Sequence, residues 1–132
     1  MLKAGVLGAG HLGKIHLKLL QQSEQFDLAG FYDPNDDNAT AVEQEFGYFR
    51  FENLEDLIEA VDVVDIVTPT LNHFDCAKMA VENGIHIFFE KPITKTVEEA
   101  EKIRDLVKIR GVKGQVGHVE RFNPVLAYLE EA

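Results

Sequence analysis

Short apolar runs recur along this chain with a helix-length periodic segment between each pair, and that alternation is the strongest constraint on its fold. The runs fall at residues 2–7, 26–32, 48–51, 63–67, 85–89 and 115–118. Between them, residues 10–22, 36–46, 54–60, 72–83 and 97–110 are expected to be helical. In the first of these, Leu12, Ile15, Leu19 and Leu20 recur at helical spacing. Asn35 reads as an N-cap and Gly47 as a stop for the second, Gly84 ends the fourth, and Thr96 with Glu99 reads as a capping box opening the fifth. Residues 122–131 begin a further helix. Connections of this length do not make hairpins; they make right-handed crossovers between parallel strands. The expected fold is α/β, a doubly wound parallel sheet with helices on both faces. The run 63–67, interrupted only by Asp65, suits a central strand.

Such sheets bind ligands outside the carboxyl ends of their strands, near the switch in strand order. The residues that count are therefore those at 8–13, 33, 68–73, 90–92 and 118–123. Gly8-Ala9-Gly10-His11-Leu12-Gly13 follows a strand and opens a helix. Gly8 permits the tight turn, Gly10 lets a pyrophosphate approach the backbone, and Gly13 lets helix and strand pack closely. The helix N-terminus then favours the anion. Asp33 ends the second run, twenty residues after Gly13. A carboxylate there accepts hydrogen bonds from ribose hydroxyls and repels a 2′-phosphate, and Pro34-Asn35-Asp36-Asp37 brings no Arg or Lys. The expectation is NAD rather than NADP. The competing reading of Asp33 is a turn-forming Asp-Pro pair.

Thr68-Pro69-Thr70 and His73 stand where they would line a cofactor groove, although helix-cap chemistry is an equal reading. Glu90-Lys91-Pro92 follows the fifth run. A partly buried Lys91 in the cleft could donate a proton or anchor a substrate oxygen; on composition alone a solvated lysine is the commoner case. His73 and Cys76 are two residues on one helix and do not make a metal site. His16 and His86 read as surface or packing residues. His118 faces the cleft. Asp62 and Asp65 read as edge or loop charges rather than an acid/base pair.

The balance of charge narrows the partners. The 132 residues carry a formal net charge of -10, which argues against nucleic acid and anionic membrane surfaces. With 45% hydrophobic and 27% charged residues the chain is that of an ordinary globular domain, and no apolar run approaches the ~18 residues that span a bilayer. One cysteine excludes an intramolecular disulfide. The expected compartment is the cytoplasm.

Taken together, GAGHLG, FYDP, VVDIVTPTLNHFDCA, GIHIFFEKPITKTVEEAEKI and GHVERFNP resemble the Gfo/Idh/MocA family of nicotinamide-dependent oxidoreductases. Glu-Lys-Pro preceded by T-P-x-x-x-H is more specific than the glycine motif, and GHVERFNP is similar to members acting on nucleotide-linked amino sugars. The resemblance implies a Rossmann dinucleotide-binding domain over residues 1–120. Residues 121–132 would then start the connection to a C-terminal α/β substrate domain that is absent here. It implies that Lys91 is the catalytic lysine at the substrate hydroxyl. It also implies that Gly8, Gly10, His11, Leu12, Gly13, Asp33, Thr68, Pro69, His73, Glu90, Lys91, Arg121 and Asn123 contact the cofactor. The implied activity is NAD-dependent oxidation of a sugar or nucleotide-sugar hydroxyl to a ketone. Two alternatives stay open: a non-catalytic NAD-binding sensor, and an enzyme using tightly bound NAD for glycoside cleavage. The family's second domain implies a homo-oligomer at full length. The chain alone is expected to be an inactive monomer, or a weak non-native dimer through Val125, Leu126 and Leu129.

Overall fold

A computed structural model describes residues 2–67, 73–90 and 97–117. Five parallel strands form one sheet: β1 (Leu2–Leu7), β2 (Phe26–Tyr32), β3 (Val63–Ile66), β4 (His86–Glu90) and β5 (Gly114–Gly117). The helices are α1 (His11–Gln22), α2 (Asp36–Phe46), α3 (Leu54–Ala60), α4 (His73–Glu82) and α5 (Val97–Arg110). The spatial order is β2-β1-β3-β4-β5.

Strand alternation divides the core into two layers. Ala4, Val6, Val63 and Phe88 point to the side covered by Leu17 and Leu20 of α1 and Ala39 and Val42 of α2. Leu7, Val64, Ile66 and Ile87 point to the other side, against Leu57 and Ile58 of α3, Ala77 and Val81 of α4, and Ile103 of α5. Each large aliphatic or aromatic side chain buried this way contributes about 1.5–3 kcal/mol. The sheet is thus buried on both faces, as all-parallel sheets are.

Local chemistry sets the helix ends. The Asn35 side chain accepts from the Asn38 N–H at 3.1 Å and Asn53 accepts from the Asp56 N–H at 2.9 Å, satisfying donors that have no partner within the helix. Gly47 closes α2 in the left-handed region, at φ 75°.

One expected strand is not formed. Residues 48–51 touch the sheet through a single parallel bridge, Phe31 to Arg50, with Phe31 N–H donating to Phe49 O and Phe51 N–H to Phe31 O. The segment is anchored instead by two rings, Tyr48 stacked on Phe46 at 5.5 Å and Phe51 packed against the core layer of α3 and α4, while the exposed Phe49 meets Phe51 edge-on at 4.9 Å. The β-propensity of Tyr-Phe-Arg-Phe signals the edge position, but a second run of ladder bonds does not follow. Among the described residues no helix is long and apolar enough to cross a membrane. Thr96 and residues 121–132, with the stripe of Val125, Leu126 and Leu129, lie outside the described residues.

Candidate functional site

The winding direction of the sheet reverses beside β1. From β1 the chain crosses to β2 on one side, then returns past β1 to β3 on the other. The crevice this opens lies outside the carboxyl ends of β1 and β3. Leu7 is level with both Tyr32 and Ile66, and Ile66 is level with Phe89, so Gly8, Asp33, Val67 and Glu90 emerge along one edge.

Gly8 turns the chain off β1 at φ 117°, and its N–H donates to Tyr32 O at 2.8 Å. Gly13 lies in α1 directly against this turn: a Cβ there would stand 2.1 Å from the Gly8 carbonyl oxygen. Gly10 is different. Its φ of -76° is open to any residue, and a Cβ would meet nothing within 4 Å among the described residues. The protein itself does not require glycine at position 10, so the room above it suits an external group approaching the backbone.

Gly10 is also the N-cap of α1, with no side-chain hydrogen bond to the first turn and no acidic residue in that turn. The other helices carry acids there: Asp36 and Asp37, Glu55 and Asp56, Asp75, Glu98 and Glu99. Among the described helices only α1 thus has a first turn without an acidic residue of its own, at the positive end of its dipole. His11 is exposed and Leu12 half-buried on this turn. The chemistry of this donor set fits the pyrophosphate of a dinucleotide.

Asp33 stands beside the turn and is 3% exposed. Its Oδ2 accepts from the Ala9 N–H at 2.7 Å and its Oδ1 from the Asn35 N–H at 2.8 Å. The carboxylate therefore ties the glycine turn to the end of β2 and also forms the expected turn into α2. Each oxygen keeps a second lone pair with which to accept from a hydroxyl. His73 opens α4 on the same edge, and the backbone of Glu90 ends β4 there. Thr68, Pro69, Lys91, His118, Arg121 and Asn123 lie outside the described residues.

Two features correct the sequence reading. Asp65 is neither an edge nor a loop charge: it lies in the middle of the sheet, 5% exposed, with Nδ1 of the fully buried His16 at 2.5 Å from its Oδ2. Burial pushes the Asp65 carboxyl up, and His16 partly offsets that. The signal was present. Asp65 shares the parity of Val63, which faces α1, and His16 falls in the buried stripe Gly13, His16, Leu17, Leu20. The second is Arg50, distant in sequence from Asp33, which the Phe31 bridge brings to the end of β2. Its guanidinium donates to Asp36 Oδ1 and lies 3.8 Å from Glu43 Oε1.

The remaining candidates fall elsewhere. His86 Nδ1 accepts from the Lys113 N–H at 3.0 Å, and Asp62 Oδ2 from the Lys3 N–H at 2.9 Å, both at the amino edge of the sheet. Cys76 is buried, and burial with nearby Asp75 pushes its thiol up to about 11, so it packs rather than reacts. A shallow cavity of about 460 Å³ sits at the far end of α1, lined by Gln21, Leu28, Phe46, Tyr48 and Phe49, away from the glycine turn.

Comparison with known proteins bears on the fold and its family. The model of the Gfo/Idh/MocA oxidoreductase family, described by an NAD-binding Rossmann fold, matches residues 2–118. The UDP-N-acetylglucosamine 3-dehydrogenase of Acidithiobacillus ferrooxidans is 37% identical over 131 residues, covering 99% of this chain and 41% of that protein. The NAD-dependent scyllo-inositol 2-dehydrogenase of Bacillus subtilis is 40% identical, covering 95% and 38%. The solved structure of the Acidithiobacillus enzyme superposes with a TM-score of 0.83 over 98% of this chain and 42% of its own. The chain thus spans about two-fifths of these relatives' length.

Proposed function

The chain belongs to the Gfo/Idh/MocA oxidoreductases and has their NAD-binding Rossmann fold, and from that premise we propose that its protein oxidises a sugar or nucleotide-sugar hydroxyl to a ketone. The observation that carries this reading is the acid-free first turn of α1 beneath the open space at Gly10. The family relatives named for UDP-N-acetylglucosamine and scyllo-inositol support a polyhydroxylated substrate.

In this reading Gly8, Gly10, His11, Leu12 and Gly13 hold the pyrophosphate, and Asp33 accepts from the adenosine ribose hydroxyls. By the family resemblance Thr68, Pro69, His73, Glu90, Arg121 and Asn123 also contact the cofactor. NAD, when bound, supplies the hydride acceptor. Lys91 holds the substrate hydroxyl oxygen and moves its proton as the carbonyl forms.

Calorimetric titration tests the cofactor half. NAD is expected to bind, NADP at least about tenfold more weakly, and Asp33→Ala to narrow that gap. NADP binding as tightly as NAD would refute the Asp33 assignment. The catalytic half is tested in the full-length gene product against a panel of sugars and nucleotide sugars. Lys91→Ala is expected to lower kcat by about 10²–10⁴-fold while NAD affinity is retained. Full turnover by that variant would remove Lys91 from the chemistry.

A further inference from the structure

The residues that follow Asp33 in sequence offer no cation to a 2′-phosphate, but the fold does. Residues 48–51 run along the outer edge of β2, and the bridge to Phe31 sets Arg50 two residues short of Asp33 in register. The Arg50 side chain is 19% exposed and reaches the first turn of α2. That is the flank of the Asp33–Asp36 turn, where an arginine in this fold class accommodates the phosphate that distinguishes NADP from NAD.

Arg50 is already engaged. Its Nη2 donates to Asp36 Oδ1, and Nη1 lies 3.8 Å from Glu43 Oε1. The buried Nε has no hydrogen-bond partner among the described residues, so both charge partners act at the outer nitrogens. Asp36 is 86% exposed and Glu43 44%. Exposed ion pairs of this kind contribute little to stability, so nothing in the packing demands the contact. Its consequence lies in where the positive charge is spent.

We infer that Asp36 is a specificity-determining residue: by occupying the Arg50 guanidinium it withholds the cation that, among the described residues, stands at the end of β2 where it could pair with a 2′-phosphate. Discrimination against NADP then has two parts. Asp33 repels the phosphate directly, and Asp36 removes its counter-charge, with Glu43 as a weaker second partner. The inference rests on the proposed binding of the adenosine ribose at the end of β2.

The test is a double-mutant cycle read by calorimetry with NADP and NAD. Asp36→Asn keeps the side chain's size and removes its charge. It is expected to tighten NADP binding about three- to fivefold, the scale of releasing one exposed ion pair, with NAD affinity within about twofold. Asp36→Asn with Glu43→Gln should tighten it further. In an Arg50→Gln background the Asp36→Asn gain should vanish. A gain that persists there would overturn the inference, because Asp36 would be acting by its own repulsion. Unchanged NADP affinity in both Asp36→Asn and the variant with Glu43→Gln would overturn it too. The Asp33→Ala titration separates the two assignments: a narrowed gap there with no Asp36 effect defeats this inference alone. An Arg50-dependent Asp36 effect without an Asp33 effect would keep the ribose at the end of β2, sustain the inference, and defeat only Asp33 as the ribose's hydrogen-bond acceptor.

Discussion

Gly10→Ala is expected to leave the protein folded, with stability within about 1 kcal/mol of the parent, and to weaken NAD binding at least tenfold. Gly13→Ala, three residues on, is expected to do the reverse in order of cause: it destabilises the fold by about 3 kcal/mol, and binding falls because the turn is displaced. The contrast follows from where each new methyl group would go. At Gly10 it enters open space at an ordinary backbone angle, so the chain has no objection and only an approaching pyrophosphate does. At Gly13 it would lie 2.1 Å from one backbone atom of Gly8 and 2.7 Å from another, and neither can swing aside as a flexible side chain would. Urea unfolding and NAD titration on both variants separate the effects. Full NAD affinity in a well-folded Gly10→Ala would show that the space above α1 is not where the anion sits. An undisturbed melting temperature in Gly13→Ala would show that helix and turn are not in contact.

How much of this was legible in the sequence depends on how local each signal is. The glycine motif, Asp33, the helices and the central strands are all signalled by residues close together in the chain, and the structure has them where the periodicity puts them. The run 48–51 misled because β-propensity reports a side chain's fitness for a pleated surface, not whether an edge will carry a full ladder. His16–Asp65 and Arg50–Asp36 were missed for another reason. Each pairs residues brought together only by the fold, His16–Asp65 across 49 positions by the strand order and Arg50–Asp36 across 14 by the Phe31–Arg50 bridge. Asp65 in an apolar run has two readings, a solvated edge charge or a partnered core charge. Its parity with Val63 and the place of His16 in the buried stripe of α1 favour the second, and the position of β3 between β1 and β4, under α1, selects it. The assignments of Lys91, Arg121 and Asn123 rest on family resemblance, since single-chain spacing says nothing about where a lysine after a strand points.

The largest loss of stability is expected from His16→Ala, about 3–5 kcal/mol, because it leaves the Asp65 carboxyl group buried with its described partner gone. Asp65 sits in the middle of the sheet, level with Val6, two residues before the glycine turn. His16 lies one helical turn beyond Gly13, on the face of α1 that covers the sheet. The pair therefore fastens the first turns of α1 to β3 directly below the candidate pyrophosphate site. Its Oδ1 has no hydrogen-bond partner among the described residues, so His16 supplies the interaction that Asp65 depends on most. Asp65→Asn is expected to cost less, about 1–3 kcal/mol, since a neutral amide is cheaper to bury and still meets the ring. Replacing both, His16→Leu with Asp65→Val, should recover much of the loss of His16→Ala, because two apolar groups need no partner. Urea midpoints for the three variants decide the matter. A loss below about 1 kcal/mol in His16→Ala would mean that Asp65 has an adequate second partner. A double variant as unstable as the sum of its singles would mean that the two side chains are held for their shape and not for each other. If the pair does act as a fastener, NAD affinity in Asp65→Asn should fall with the order of the turn, although neither residue touches the dinucleotide.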